Sequence, residues 1–188
     1  MPPKARIARE DIINTAVELV RRQGAQAFNA RAVAAALNCS TQPVFSNFAT
    51  MEELQRATLE AAYERYLGFL QHEAESGKYP KYKAYGMAYI RFAQEERELF
   101  KLLFMRDRQG EEWTETADWN DSVEMNMTAN GLSREQAQRM HMELWIWVHG
   151  IAVMLATSYI DIPQQTVSDM MSDVYQGLRM RYTKEATV

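Results

Sequence analysis

Helix breakers are scarce in this chain. Of its 188 residues only 8 are glycine and 5 are proline, and most of the prolines fall between apolar periodic segments. A chain that interrupts itself so seldom favours helices throughout. No stretch alternates apolar and polar residues with period two for long enough to mark a sheet. Cysteine is scarcer still. Cys39 stands alone, which excludes an internal disulfide and fits a reducing cytoplasm. The N-terminal stretch MPPKARIAREDII has no apolar run and does not read as a signal peptide. The most apolar run, LWIWVHGIAVMLA at 144–156, is shorter than the about 20 residues that span a bilayer, so it predicts a buried helix and no membrane partner. Enzyme motifs are missing as well. There is no Gly-rich phosphate loop, no Cys pair and no His-x-x-x-His. None of His72, His141 and His149 has the Glu three residues earlier that a di-metal carboxylate bundle uses. No cofactor is expected. His141 and His149, two turns apart on one helix, read as core histidines before they read as metal ligands.

What the chain does have is apolar mass. It is 47% hydrophobic and 24% charged, enough burial to offset the entropy of ordering and to exclude disorder. Its length suits one large domain or two small ones. The net charge of −4 is unevenly spread: residues 1–48 carry +3 and the remainder −7. A basic end on an acidic body either meets a polyanion there or carries a solvated basic tail.

The apolar spacing of Ile12, Ile13, Ala16, Val17, Leu19 and Val20 predicts a helix over 9–23, with Gly24 as its cap. Asn29 caps a second helix, ARAVAAALN, which Asn38 ends by taking the left-handed conformation. Ser40 is expected to cap a third helix, with Pro43 as its third residue, where a missing N–H costs little. Thr50 caps a long fourth helix from Met51. Further helices are expected at 81–95, 97–105, 112–129, 133–159 and 164–182. The second and third helices form a helix-turn-helix. The stretch LNCSTQPVFSNF, residues 37–48, contains no basic residue, yet a polar face is interleaved with Val44, Phe45 and Phe48.

Over residues 9–54, REDIINTAVELVRRQG followed by NARAVAAALNCSTQPVFSNFATMEEL resembles the tetracycline repressor-like (TetR) family of transcriptional regulators. WVHG, residues 147–150, is similar to the Trp-His-Gly signature of one TetR-type C-terminal domain. The resemblance implies an all-α fold: a three-helix DNA-binding head with a helix-turn-helix, at 1–49 with the motif at about 29–48, plus a helical ligand-binding and dimerisation body at 50–188. It implies a ligand-responsive regulator, foremost a repressor, that binds a palindromic operator in double-stranded DNA as a homodimer and is not an enzyme. Its third helix would read the major groove. The residues carried over are Ser40, Thr41, Gln42, Pro43, Phe45, Ser46 and Asn47, with Arg31 and the tail residues Lys4, Arg6 and Arg9 positioning phosphates. Gln42 suits adenine and Pro43 a thymine methyl. Phe45, Asn47 and Met51 stand where the family has a tyrosine, often a histidine and often a lysine, which removes two usual phosphate contacts. The rival expectation is an all-helical small-molecule-binding or protein-interaction protein whose head does not bind DNA.

The body is rich in methionine and tryptophan, with 12 Met and 4 Trp in the chain. Adaptable Met and flat aromatics suit an apolar pocket, and they also suit ordinary core. Phe92, Phe104, Trp113, Met127, Trp145 and His149 are the expected ligand-binding residues for a small apolar or aromatic effector. No arginine lies inside the apolar stretches, so a neutral or cationic effector is expected over an anionic one. Residues 144–156 are apolar around nearly the whole helix and must be covered on all sides, by a second subunit or by a one-subunit core. Spacing on the last two helices singles out Leu155, Tyr159, Met171, Val174 and Leu178 for the dimer contact.

Overall fold

The computed structural model describes residues 7–109 and 116–185. Lys4, Arg6 and Trp113 therefore lie outside the described residues. Among those described there are nine α-helices, one 3-10 turn and no strand, so the fold is all-α. The chain divides into two compact units. One runs through Gly68 and includes Glu95–Arg106; the other holds Phe69–Gln94 and the chain from Asp107 onward. The three helices expected over residues 1–49 lie within the first.

The first unit opens with α1 (Arg9–Gln23), which buries Ile12, Ala16, Leu19 and Val20 and ends at Gly24 with φ +82°, a backbone angle that favours glycine. A 3-10 turn, Ala25–Ala27, leads to α2 (Ala30–Ala36). Asn29 caps α2 by accepting from the Ala32 N–H at 3.0 Å. Such a cap stabilises a helix by about 1 kcal/mol. Asn38, at φ +52°, turns the chain out of α2 as expected.

The third helix, α3 (Gln42–Asn47), departs from expectation. Thr41, not Ser40, is its cap, and Pro43 is its second residue, not its third. Thr41 already has helical angles (φ −71°, ψ −11°) and no side-chain cap bond; it is the first backbone bond of the helix, from the Phe45 N–H to the Thr41 carbonyl at 3.1 Å, that makes Thr41 the cap. Pro43 still falls in the first turn, where its missing N–H has no intrahelical acceptor to lose. Val44 and Phe48 turn inward and join Ile12, Ala16, Val33, Ala34 and Leu54 in one core. Thr50 then caps α4 (Met51–Glu75), its hydroxyl accepting from the Glu53 N–H at 3.2 Å.

The helix α6 (Arg97–Phe104) belongs to this unit and packs against α1. Its cap residue, Glu96, is only 4% exposed. Glu96 accepts from Arg21 Nε at 2.6 Å and from Arg65 Nη2 at 2.7 Å. Arg65 also reaches Glu18 at 3.2 Å, and Arg21 reaches Glu18 at 3.4 Å. Two acids and two arginines thus tie α1, α4 and α6 together. The hydrogen bond and negative charge of Glu96 raise the Arg21 pKa above its ordinary value.

The second unit contains α5 (Lys81–Glu95) up to Gln94, α7 (Ala117–Asn130), α8 (Arg134–Ala156) and α9 (Gln164–Glu185). The helix expected from 112 starts at Ala117, because Thr116 is extended and serves as its cap. Gly131, left-handed at φ +64°, ends α7, and Ser133 with Gln136 forms a capping box for α8. α8 stops at Ala156, three residues short of expectation. Ser158 is left-handed at φ +56°, and the Tyr159 N–H turns back to the Met154 carbonyl at 2.9 Å. Tyr159 is therefore off the helix. Trp119, Val123, Leu132, Ala137, Met140 and Tyr182 form the core of α7, α8 and α9, with Met127, Met142, Trp145, Tyr175 and Leu178 packed on it. No helix among the described residues is long and apolar enough to cross a membrane.

Candidate nucleic-acid interface and aromatic cluster

In the first unit, the turn after α2 and the short α3 present a neutral polar surface. Ser40, Gln42 and Ser46 are exposed, Thr41, Pro43 and Asn47 are half-buried, and Phe45 is 50% exposed. Two side chains are tied to the backbone of α3. Ser46 Oγ donates to the Gln42 carbonyl and Asn47 Nδ2 to the Pro43 carbonyl, each at 2.8 Å. Asn47 keeps its Oδ1 as an acceptor. Arg31 is exposed in the first turn of α2. Arg9, expected to position a phosphate, lies over the Phe48 ring at 4.4 Å and reaches Glu53 at 3.5 Å, so its charge is partly used within the unit. From residue 32 to residue 55 there is no lysine or arginine, and the only charges are Glu52 and Glu53. Cys39 is half-buried against the core of this unit.

In the second unit, α5 and α8 are joined by two tyrosine–histidine hydrogen bonds. Tyr82 Oη lies 3.0 Å from His141 Nδ1, and Tyr89 Oη lies 2.8 Å from His149 Nδ1. Trp145 stands one turn from each histidine and stacks on His149, with centroids 5.2 Å apart and planes 14° apart. Trp119 on α7 meets His141 edge-on at 4.3 Å. Burial pushes both phenols well above the usual tyrosine range and lowers both imidazoles, His141 to about 4. The histidines are therefore neutral near pH 7. Each can accept the phenol proton at Nδ1 and carry its own proton on Nε2. Among the described residues, no group of three His, Cys, Asp or Glu side chains is placed to hold a metal ion.

The residues expected around a ligand are only partly assembled. Trp145 and His149 are in contact, and Met127 packs on the same core as Trp145. Phe92 is fully buried and meets Phe69 edge-on at 5.2 Å. Phe104 belongs to the first unit, against Tyr66 and Phe100. Tyr82, Tyr89, Trp119 and His141, which complete the cluster, are not among the residues the sequence points to as ligand contacts. Their spacing carried a signal: Tyr82 and Tyr89 are two turns apart on α5, as His141 and His149 are on α8.

The residues expected at a dimer contact are also split by the fold. Leu155 and Met171 are buried, Met171 against Gly86, where an added Cβ would stand 3.0 Å from its sulfur. Val174 and Leu178 are half-buried, and Tyr159 is 79% exposed. Other apolar side chains face outward: Ile146 at 58%, Met170 at 38% and Met180 at 59% exposure. Gly150 on α8 and Gly177 on α9 have open space where a Cβ would be. Ile146, Gly150 and Val153 follow one helical stripe, and Met170, Gly177 and Met180 another.

Residues 82–174, from α5 into α9, match the family model for the tetracyclin repressor-like C-terminal domain. No curated protein matches the chain. Solved structures do. A member of the TetR family from Streptomyces coelicolor A3 is 18% identical, with a TM-score of 0.61 over 88% of this chain and 96% of its own. A TetR-like transcriptional regulator from Rhodococcus sp. RHA1 is 16% identical, with a TM-score of 0.61 over 94% of this chain and 97% of its own. The multidrug binding protein EbrR, solved in complex with imidazole, is 16% identical, with a TM-score of 0.60 over 88% of each chain. At these identities the likeness is one of fold.

Proposed function

We propose that the chain, whose residues 82–174 match the tetracyclin repressor-like C-terminal domain, is a ligand-responsive DNA-binding repressor of the tetracycline repressor-like family. It acts in the cytoplasm as a homodimer on a palindromic operator, with residues 1–49 as the DNA-binding head and 50–188 as the ligand-binding and dimerisation body. The observation that carries the reading is the division of labour on α3: Val44 and Phe48 hold the core while Gln42, Phe45 and Ser46 face outward. Gln42 and Ser46 are hydrogen-bonding side chains of the kind that pair with base edges, and Phe45 adds an apolar group suited to a thymine methyl. Ser40, Thr41, Pro43 and Asn47 flank the reading surface, and Arg31 anchors a phosphate. Half-sites would lie about one helical turn apart, or a small multiple.

For the dimer we propose the outward faces of α8 and α9. Ile146, Met170 and Met180 lead the contact, Val174, Leu178 and Tyr159 flank it, and Leu155 and Met171 support it from beneath. Ile146→Glu with Met180→Glu alters only exposed positions, so circular dichroism should show the helical fold intact. Light scattering should give the monomer mass. Affinity for a palindrome should fall about a hundredfold or more, because two half-sites are no longer bound as one event. A folded double variant that keeps the dimer mass removes these faces from the interface.

For the effector we propose the aromatic cluster, with Trp145, His149 and Met127 joined by Tyr82, Tyr89, Trp119 and His141. Neutral imidazoles, stacked indole and buried phenols suit a neutral or cationic aromatic compound, and none of these groups offers an anion a fixed positive charge. A compound that quenches tryptophan fluorescence and releases the operator should lose about tenfold or more in affinity with Trp145→Ala, the energy of an aromatic contact together with its buried area. If Trp145→Ala responds to that compound as the wild type does, the effector binds elsewhere.

The lack of any lysine or arginine between Arg31 and Arg56 favours a second reading, a head that no longer binds DNA. Sequencing the genomic fragments retained by the purified chain separates the two. Recovery of fragments sharing a palindrome supports the regulator. Random recovery at the level of bare resin supports the second reading.

A further inference from the structure

The reading surface is unusual in what it can say to a base pair. In the major groove, guanine is specified chiefly by a bidentate arginine or lysine on O6 and N7. No cationic side chain occurs from residue 32 to residue 55, which includes the turn, all of α3 and the start of α4. The outward groups of α3 have a different chemistry. Gln42 carries an amide that can pair with adenine N6 and N7. Ser46 is a hydroxyl already donating to the Gln42 carbonyl, which leaves it as an acceptor. Between them, Phe45 holds its ring half in water although Val44 and Phe48 fill the adjoining core. A phenyl ring cannot bond a phosphate oxygen. Its apolar edge matches one feature of the major groove, the C5 methyl of thymine.

Resting on the DNA-binding reading above, we propose that this head specifies its half-site through A·T pairs, with Gln42 on an adenine and Phe45 on a thymine methyl, and that no guanine is read by direct contact from the turn or α3. Phe45 is then a specificity-determining residue. Ser40 and Thr41, whose hydroxyls pair with either base type, position the helix more than they discriminate.

The test selects retained duplexes from a random library with the full chain, then replaces each thymine of the recovered half-site singly with deoxyuridine. At one position wild-type affinity should fall about fourfold, the value of burying one methyl-sized group. Phe45→Ala should bind that site more weakly and no longer distinguish thymine from uracil there. Phe45→Leu, which keeps an apolar side chain, should retain part of the distinction. Gln42→Ala should relax the preference for adenine at one position by about fivefold to 150-fold. Thermal melts of each variant identify any that fail to fold. Half-sites dominated by guanine, uracil tolerated at every position, or an unchanged thymine preference in folded Phe45→Ala would each overturn the proposal. If the library yields no retained duplex at all, the DNA-binding reading itself falls, and the A·T proposal with it.

Discussion

Replacing Arg21 and Arg65 together with methionine should destabilise the protein by about 3–5 kcal/mol, the typical result of leaving a buried charge without its partner. Glu96, 4% exposed, is held by both arginines at 2.6 and 2.7 Å. Once they are gone, its carboxylate has neither water nor a counter-charge. The reverse change is milder. The arginine side chains are 39% and 35% exposed, so in Glu96→Gln each can turn to solvent or to Glu18 while the amide keeps a hydrogen bond. Either arginine alone leaves Glu96 one partner, so the two single substitutions should sum to less than the double. Urea unfolding of the four variants at pH 7 measures the pattern. A double variant no less stable than Glu96→Gln would mean that the network is an ordinary surface ion pair worth 0–1 kcal/mol.

That network also marks what could not be read from the chain. The helix pattern was legible because it is local. Six apolar residues at helical spacing fix α1, and the caps Asn29 and Thr50 and the left-handed Asn38 act within four residues of themselves. Ser40 and Thr41 illustrate the resolution of such signals: two adjacent hydroxyls gave a cap one residue out. Nothing local announces that Arg21 meets Glu96 across 75 residues, or that Tyr82 meets His141 across 59. The aromatic density of the body was visible, but density along the chain did not translate into proximity. Phe92 and Phe104, twelve residues apart, fall in different compact units. The histidine spacing is local to α8, while the tyrosines that hold those rings stand on another helix, α5.

His141 should make the protein acid-labile in a definite pH window. Its burial against Tyr82 and Trp119 lowers its pKa to about 4, with Asp118 pulling weakly the other way. In the unfolded chain the imidazole protonates near its ordinary value of about 6.5. Between these values the unfolded state binds the extra proton, so stability is complete above about pH 6.5 and falls as the pH drops towards 4. The loss by pH 4 is about 3 kcal/mol, at 1.36 kcal/mol for each tenfold difference in proton affinity. His149, lowered by burial on the same helix, adds to the loss in the same direction. Carboxylates titrate nearby in pH, so the informative quantity is a difference between two proteins. His141→Gln has no proton to gain, and its amide can still accept from the Tyr82 hydroxyl. At pH 7 the variant should be the less stable protein, having lost the ring contact with Trp119. As the pH falls to 4, the difference should move by about 3 kcal/mol in the variant's favour. Urea midpoints at pH 7, 6, 5 and 4 follow that crossing, and a difference that stays constant across the range would show that the His141 ring is as open to protons when folded as when unfolded.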